Sequence, residues 1–167
     1  MSNLLVVVDT NIVISALIES KSVPGKFFDH WKKRKFMVIT SSLLLHELEI
    51  VLDRPKYEKP YGITLKKKQK IVSFFRAHAR IIDVYTSPPI VPRDAKDAML
   101  IATAVSGDAT HIVTGDKDVL VLDGNPHIGK LRIVTPRQFL SSCLPPQRRD
   151  RSPNHLIQGY CFVCFHG

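Results

Sequence analysis

Leu4-Leu5-Val6-Val7-Val8-Asp9-Thr10-Asn11 (residues 4–11) is the stretch on which the fold turns. Five apolar residues in a row, three of them Val, suit a strand of a parallel sheet covered on both faces. Such a strand has no solvent-facing side and so shows no alternation. Asp9, Thr10 and Asn11 then supply turn and capping side chains, and Ile12, Val13, Ala16 and Leu17 recur at helical spacing. Asp9 therefore stands at the carboxyl end of a buried strand, the edge at which open parallel sheets bind ligands.

Outward from this unit the alternation continues. Pro24 suits the start of a second helix burying Phe27, Phe28 and Trp31 and ending in Lys32-Lys33-Arg34-Lys35. Residues 36–40 read as a second strand. Ser41 and Ser42 can cap a third helix carrying Leu44, Leu45, Leu48, Val51 and Leu52, with Pro55 marking its end. Thr64 caps a long basic helix through about Ala79, with Ile71, Val72 and Phe75 inward and Lys66, Lys67, Lys68 and Lys70 outward. Residues 80–84, 111–114 and 131–135 read as three more strands. Asp94 is expected to open a helix that Gly107 closes, and Pro136 to start the last one. Residues 86–93, with Pro88, Pro89 and Pro92, read as a stiff loop. Strands alternating with helices imply a parallel sheet covered on both faces.

The 167 residues suffice for one domain with a real core, and 44% of them are apolar. We expect a domain over residues 1–143 and a flexible tail over 144–167, since Pro145 to Pro153 has the composition of a linker. Lys and Arg number 24 against 15 Asp and Glu, a formal charge of +9 that attracts phosphate backbones without conferring specificity. No apolar stretch approaches the roughly 20 residues needed to cross a bilayer. The amino-terminal run lacks the basic start and small-residue cleavage site of a signal peptide. Three cysteines make no disulfide framework. A cytoplasmic protein without membrane contact is the expectation.

Within this basic chain four carboxylates fall where an α/β fold would gather them. Asp9 follows the first strand and Asp116 the fourth. Glu47 lies in an apolar helix, and Asp97 stands beside Ala98-Met99-Leu100-Ile101. Each has an ordinary explanation alone. Asp9 and Asp116 would serve as caps or turn residues, Asp94 and Asp97 as the first-turn acids of a helix, and Glu47 as a solvated side chain. Glu49 competes with Glu47 for an inward place, though Glu47 lies nearer the apolar positions. A carboxylate beside the buried run after Asp97 needs a partner or a metal, which favours Asp97 over Asp94. Together the four form an all-oxygen donor set, suited to Mg²⁺ or Mn²⁺ rather than Zn²⁺. Such an ion activates water and offsets charge on a phosphodiester, so phosphodiester hydrolysis fits the set.

Other chemistries lack their motifs. His46-Glu47-Leu48-Glu49-Ile50 has Ile where a zinc protease helix needs its second His. There is no Gly-rich phosphate loop and no G-x-S-x-G elbow. Cys161-Phe162-Val163-Cys164 with His166 offers one half of a zinc site and no second half.

Four segments in order, residues 6–17 (Val-Val-Val-Asp-Thr-Asn-Ile-Val-Ile-Ser-Ala-Leu), 42–52 (Ser-Leu-Leu-Leu-His-Glu-Leu-Glu-Ile-Val-Leu), 93–104 (Arg-Asp-Ala-Lys-Asp-Ala-Met-Leu-Ile-Ala-Thr-Ala) and 114–120 (Thr-Gly-Asp-Lys-Asp-Val-Leu), resemble the PIN-domain family. The likeness spans about residues 4–142 and is nearest the toxins of toxin–antitoxin pairs, relatives of the VapC-like toxins. It implies a three-layer α/β/α sandwich with a five-stranded parallel sheet ordered 3-2-1-4-5. It also implies a metal-dependent endoribonuclease, with RNA as substrate, a cognate antitoxin as partner and homodimers common. Carried over position by position, Asp9, Glu47, Asp97 and Asp116 look like the acidic quartet that binds Mg²⁺ or Mn²⁺. Asn11 and Thr114 look like residues that steady the ligands, and Asp118 like an auxiliary acid. Asp94 is a second acid at the helix start.

Lys32, Lys33, Arg34, Lys66, Lys67 and Lys68 are candidates for gripping the RNA backbone. Mutual repulsion of four carboxylates predicts lower activity in acid and a fold stabilised by Mn²⁺. Two other functions compete. One is a catalytically inactive module of the same fold that binds RNA or protein, which would not need all four acids. The other is a receiver-type signalling domain, which would place its key Asp after a middle strand where this chain has the Pro-rich loop.

Overall fold

The computed structural model describes residues 4–88 and 95–144. The elements run β1 (Leu5–Val8), α1 (Thr10–Ile18), α2 (Val23–Lys32), β2 (Met37–Ser41), α3 (Ser42–Leu52), α4 (Pro55–Tyr61), α5 (Leu65–His78), β3 (Arg80–Ile82), α6 (Ala95–Ser106), β4 (His111–Val113), α7 (Lys117–Leu120), a 3-10 turn (Pro126–Ile128), β5 (Arg132–Val134) and α8 (Pro136–Ser142). The sheet order is β3-β2-β1-β4-β5, and every pairing is parallel. The expected sheet is therefore present, in the expected order.

Alternation along each strand divides the core in two. Val6, Val8, Val38 and Val113 pack with residues of α1, α2, α3, α5 and α8, among them Phe27, Phe28, Trp31, Leu48, Phe75 and Phe139. Val7, Ile39, Ile112 and Ile133 face the other way, onto Leu100, Ile101 and Ala104 of α6. Because both faces are covered, all three Val residues of β1 are buried, which is why the strand carries no polar residue before Asp9.

Caps set the helix starts. The Ser41 side chain accepts from the Leu44 N–H at 3.3 Å, and Thr64 does the same for α5. Thr135 and Gln138 form a reciprocal capping box on α8. Ser41 Oγ also lies 3.0 Å from Thr103 Oγ1, both residues being buried, so the start of α3 is tied to the middle of α6.

Two helices are additional to the sequence expectation. Pro55 starts α4 instead of only ending α3, and Pro60 sits inside it. The four-residue α7 begins at Lys117. Strand β3 stops at Ile82, short of the expected 84. Asp94, most of the Pro-rich loop and the tail from residue 145 lie outside the described residues. Among the described residues no helix is long and apolar enough to cross a membrane.

Candidate functional site

The register of the central strands brings the first two carboxylates together. Val8 of β1 pairs with Val113 of β4, so the next residues, Asp9 and Thr114, meet at the carboxyl edge where the strand order departs in two directions from β1. The Asp9 N–H donates to the Val113 carbonyl at 3.0 Å, fixing the backbone there. Thr114, fully buried, donates its hydroxyl to Asp9 Oδ2 at 2.6 Å and accepts the Asp116 N–H at 3.0 Å. One hydroxyl thus orients one carboxylate and anchors the turn that carries another.

Asp9 and Asp116 are also helix caps. Asp9 Oδ1 accepts from the Asn11 N–H at 2.9 Å, and Asp116 Oδ1 from the Asp118 N–H at 2.8 Å. The structural and the chemical explanations of these residues coexist. One oxygen of each carboxylate is held by backbone, which presets the direction of the group.

Asp97 lies in the first turn of α6 and Glu47 in the second turn of α3. Both reach the same place. A cavity of ≈ 130 Å³ is lined by Asp9, Thr10, Asn11, Glu47, Asp97 and Asp116, with Leu44, Val51 and Leu100 as its apolar wall. Glu49, the rival of Glu47, turns instead toward α5. There Arg76 donates to its Oε1 at 3.1 Å, and it lines a groove with Leu65 and Lys68.

Adjoining the cavity is an open depression lined by Asn11, Ile12, Ser15, Gly115, Asp116, Lys117 and Asp118. Asp118 belongs to this depression and meets the quartet through its N–H to Asp116. Asn11 serves Asp9 with its backbone N–H, while its side chain borders both hollows. Thr10, which carries no charge and reads in the sequence only as a turn or capping residue, is a further lining residue. The buried Ser41 and Thr103 hydroxyls, 3.0 Å apart, do not line the cavity but join the helices that carry Glu47 and Asp97, a pairing that helical periodicity alone does not reveal.

The basic candidates stand elsewhere. None of Lys32, Lys33, Arg34, Lys66, Lys67 and Lys68 lines the cavity. Lys68 is mostly buried, its Nζ 3.2 Å from Asp53 Oδ1 and 3.7 Å from Glu58 Oε2, and so is engaged within the protein.

The donor chemistry fits a hard divalent cation, with four carboxylates and neither thiol nor imidazole on the cavity wall. Among the described residues, no three Asp, Glu, His or Cys side chains are drawn together to ligating distances.

Comparison with known proteins gives three results. The family profile described as PIN domain matches residues 5–118. The uncharacterized protein MJ1680 of Methanocaldococcus jannaschii is 34% identical over 140 residues, covering 81% of this chain and 88% of its own length. A chain of VapBC2 from Rickettsia felis, solved bound to a DNA fragment from the promoter, superposes with a TM-score of 0.49 at 17% identity. That superposition covers 78% of this chain and 97% of the other.

Proposed function

This chain belongs to the PIN domain family, and from that premise we propose that it is a divalent-metal-dependent endoribonuclease whose active site is the cavity of Asp9, Glu47, Asp97 and Asp116. PIN domains are generally nucleases that use divalent metal ions. The observation that carries the proposal is the convergence of four acids, spread over residues 9–116, on one cavity at the carboxyl edge of the sheet.

Asp9, Asp97 and Asp116 are the residues to hold Mg²⁺ or Mn²⁺. Bound there, the ion would acidify a water molecule and offset charge on the phosphate. Thr114 keeps Asp9 and the Asp116 turn in fixed orientation, so little reorganisation is needed as substrate arrives. Glu47 comes from a helix and not from a strand end, so it approaches the reacting centre from a different wall. It orients the attacking water and accepts its proton as oxygen bonds to phosphorus. The scissile P–O bond breaks in line, and the leaving oxygen takes a proton from solvent. Leu44, Val51 and Leu100 keep bulk water from one side, which strengthens each charge interaction.

Within the family, the likeness of residues 6–17, 42–52, 93–104 and 114–120 to VapC-like toxins supports the finer reading. In it the chain is the toxin of a toxin–antitoxin pair, with RNA as substrate and a cognate antitoxin as partner. The charge of +9 supports a polyanionic substrate. Lys32, Lys33, Arg34, Lys66 and Lys67 are the basic residues we assign to its backbone, while Lys68 pairs with Asp53 and Glu58.

The test is cleavage of a mixed single-stranded RNA and tRNA pool with Mg²⁺, Mn²⁺ or EDTA. Wild type should cut only with metal, and Asp97→Asn and Glu47→Gln should each lose on the order of 10²-fold or more. Cutting that survives both substitutions would sink the assignment. RNA binding without cutting would favour the inactive module.

A further inference from the structure

The carboxylate cavity is too small to enclose a nucleotide. Its ≈ 130 Å³ falls below the ~300–1,000 Å³ of pockets that take small organic ligands, leaving room for an ion, water and part of a phosphate. Sugar and base must lie outside it. The open depression beside it measures ≈ 540 Å³ and shares two lining residues with it, Asn11 and Asp116. An RNA chain whose phosphate meets the carboxylates can lay its next nucleotide there.

Two residues of the depression are not explained by the fold. Lys117 is exposed, and its ammonium group makes no ion pair among the described residues. Among those residues it is also the one cation lining either hollow. Gly115 is exposed, and its φ lies outside the left-handed region. A Cβ added there would meet only Ile12 Cδ1, at an ordinary 3.7 Å. Neither backbone shape nor packing calls for glycine at this position, whereas close approach of a ligand does.

The other polar groups divide by hydrogen-bonding sense. Ser15 gives its hydroxyl proton to the Asn11 carbonyl at 2.8 Å, so toward the depression its Oγ can only accept. The Asp118 carboxylate is likewise an acceptor. A phosphodiester has no proton for either, but ribose hydroxyls and base N–H groups do. Lys117, with three donors and a full positive charge, is the group that suits phosphate. Ile12 adds apolar surface to the wall.

We propose that this depression is the subsite for the nucleotide adjoining the scissile phosphate. Lys117 holds that nucleotide's own phosphate, Ser15 and Asp118 accept from its sugar and base, and Gly115 leaves the space it occupies. The proposal rests on the ribonuclease reading and extends its substrate contacts beyond the acids.

The test is the affinity of the full chain for a fluorophore-labelled, mixed-sequence single-stranded RNA with Mn²⁺ present. A Glu47→Gln background serves as parent, to suppress cutting. Lys117→Gln should weaken binding about tenfold. It should also flatten the slope of log affinity against log salt by about 0.7, the share of one phosphate contact on a single strand. Lys130→Gln removes the same charge from an exposed lysine outside both hollows and should do neither. Gly115→Leu should weaken binding while leaving the salt slope and the thermal melt as in the parent. Equal affinity and slope in Lys117→Gln and Lys130→Gln, or undiminished binding in Gly115→Leu, would overturn the proposal. A parent that binds no RNA would do the same. Cutting by the chain with Glu47 intact separates the two readings. Metal-dependent cutting with unchanged binding in both depression variants removes the subsite and leaves the nuclease. Absence of cutting with the expected binding pattern removes the nuclease and leaves an RNA-binding subsite.

Discussion

Thr114 makes two bonds with one oxygen, to the carboxylate of Asp9 and to the backbone of Asp116, and it does so fully buried. Thr114→Val keeps the shape but leaves the Asp116 N–H without its acceptor. It should cost about 1–3 kcal/mol in a denaturation series. If the quartet is the active site, kcat should fall more than KM rises, and Thr114→Ser should restore much of it. A second residue with a separable effect is Asp123, which accepts from Arg132 and from the Ile133 N–H and so ties the chain after α7 to β5. The Arg132 hydrogen bond, opposed by burial and aided by the Ile133 N–H, holds its carboxyl below the usual 3.8. A folded value below the unfolded one gives stability that is complete above about pH 3.8 and is lost as pH falls through the folded value. Asp123→Asn should therefore flatten the acid limb of stability against pH and lower neutral-pH stability by about 1 kcal/mol. Residues of this kind differ in legibility. The four acids could be read because charge beside a strand end or a buried run needs a reason. Glu47 could be told from Glu49 because helical spacing turns the two apart. Thr10 and Ser41 read in sequence only as turn or capping residues and Thr103 as part of a helix, and their places beside the cavity and against each other come from the fold. Lys68 reads as a solvated cation because its partners are distant in sequence, Asp53 and Glu58, and Glu58 lies on a helix that the sequence reading lacked.

At the scale of elements, the turn between α1 and α2 is tight enough to exclude a side chain. A Cβ on Gly25 would lie 1.9 Å from the Ser20 carbonyl oxygen, a backbone atom that cannot swing aside. Gly25→Ala should destabilise by about 1–3 kcal/mol or more, seen as a lower denaturant midpoint, although alanine is the better helix former. Elements with a clear period were legible. The apolar run of β1 and the 3.6-residue spacing of α3 and α5 say what they are and which face is buried. Two short helices were not. Four residues of α7 contain no full period, and α4 carries Pro55 and Pro60, which read as breaks. Pro55 is in fact well placed, since a helix start needs no donor there.

For the whole molecule, strand order decides what the acids can do. With β1 central and β2 and β4 on either side, chain departures on both flanks open a crevice beyond β1, and Asp9 stands in it. Asp116 arrives from β4, Glu47 from the helix after β2 and Asp97 from α6, which covers the other face. The alternation of strands and helices gave the parallel sheet, whereas the order 3-2-1-4-5 came from family likeness, since no local pattern encodes strand neighbours. If the chain is the proposed nuclease, this crevice must bind the cation that cleavage requires. Diffraction from crystals grown or soaked with Mn²⁺, with data at the manganese absorption edge, would locate that ion. We predict an anomalous peak within direct coordination distance of carboxylate oxygens of Asp9, Asp97 and Asp116, and its disappearance in Asp97→Asn. An empty crevice at Mn²⁺ concentrations that support RNA cleavage, or a peak bound only elsewhere on the molecule, would contradict it.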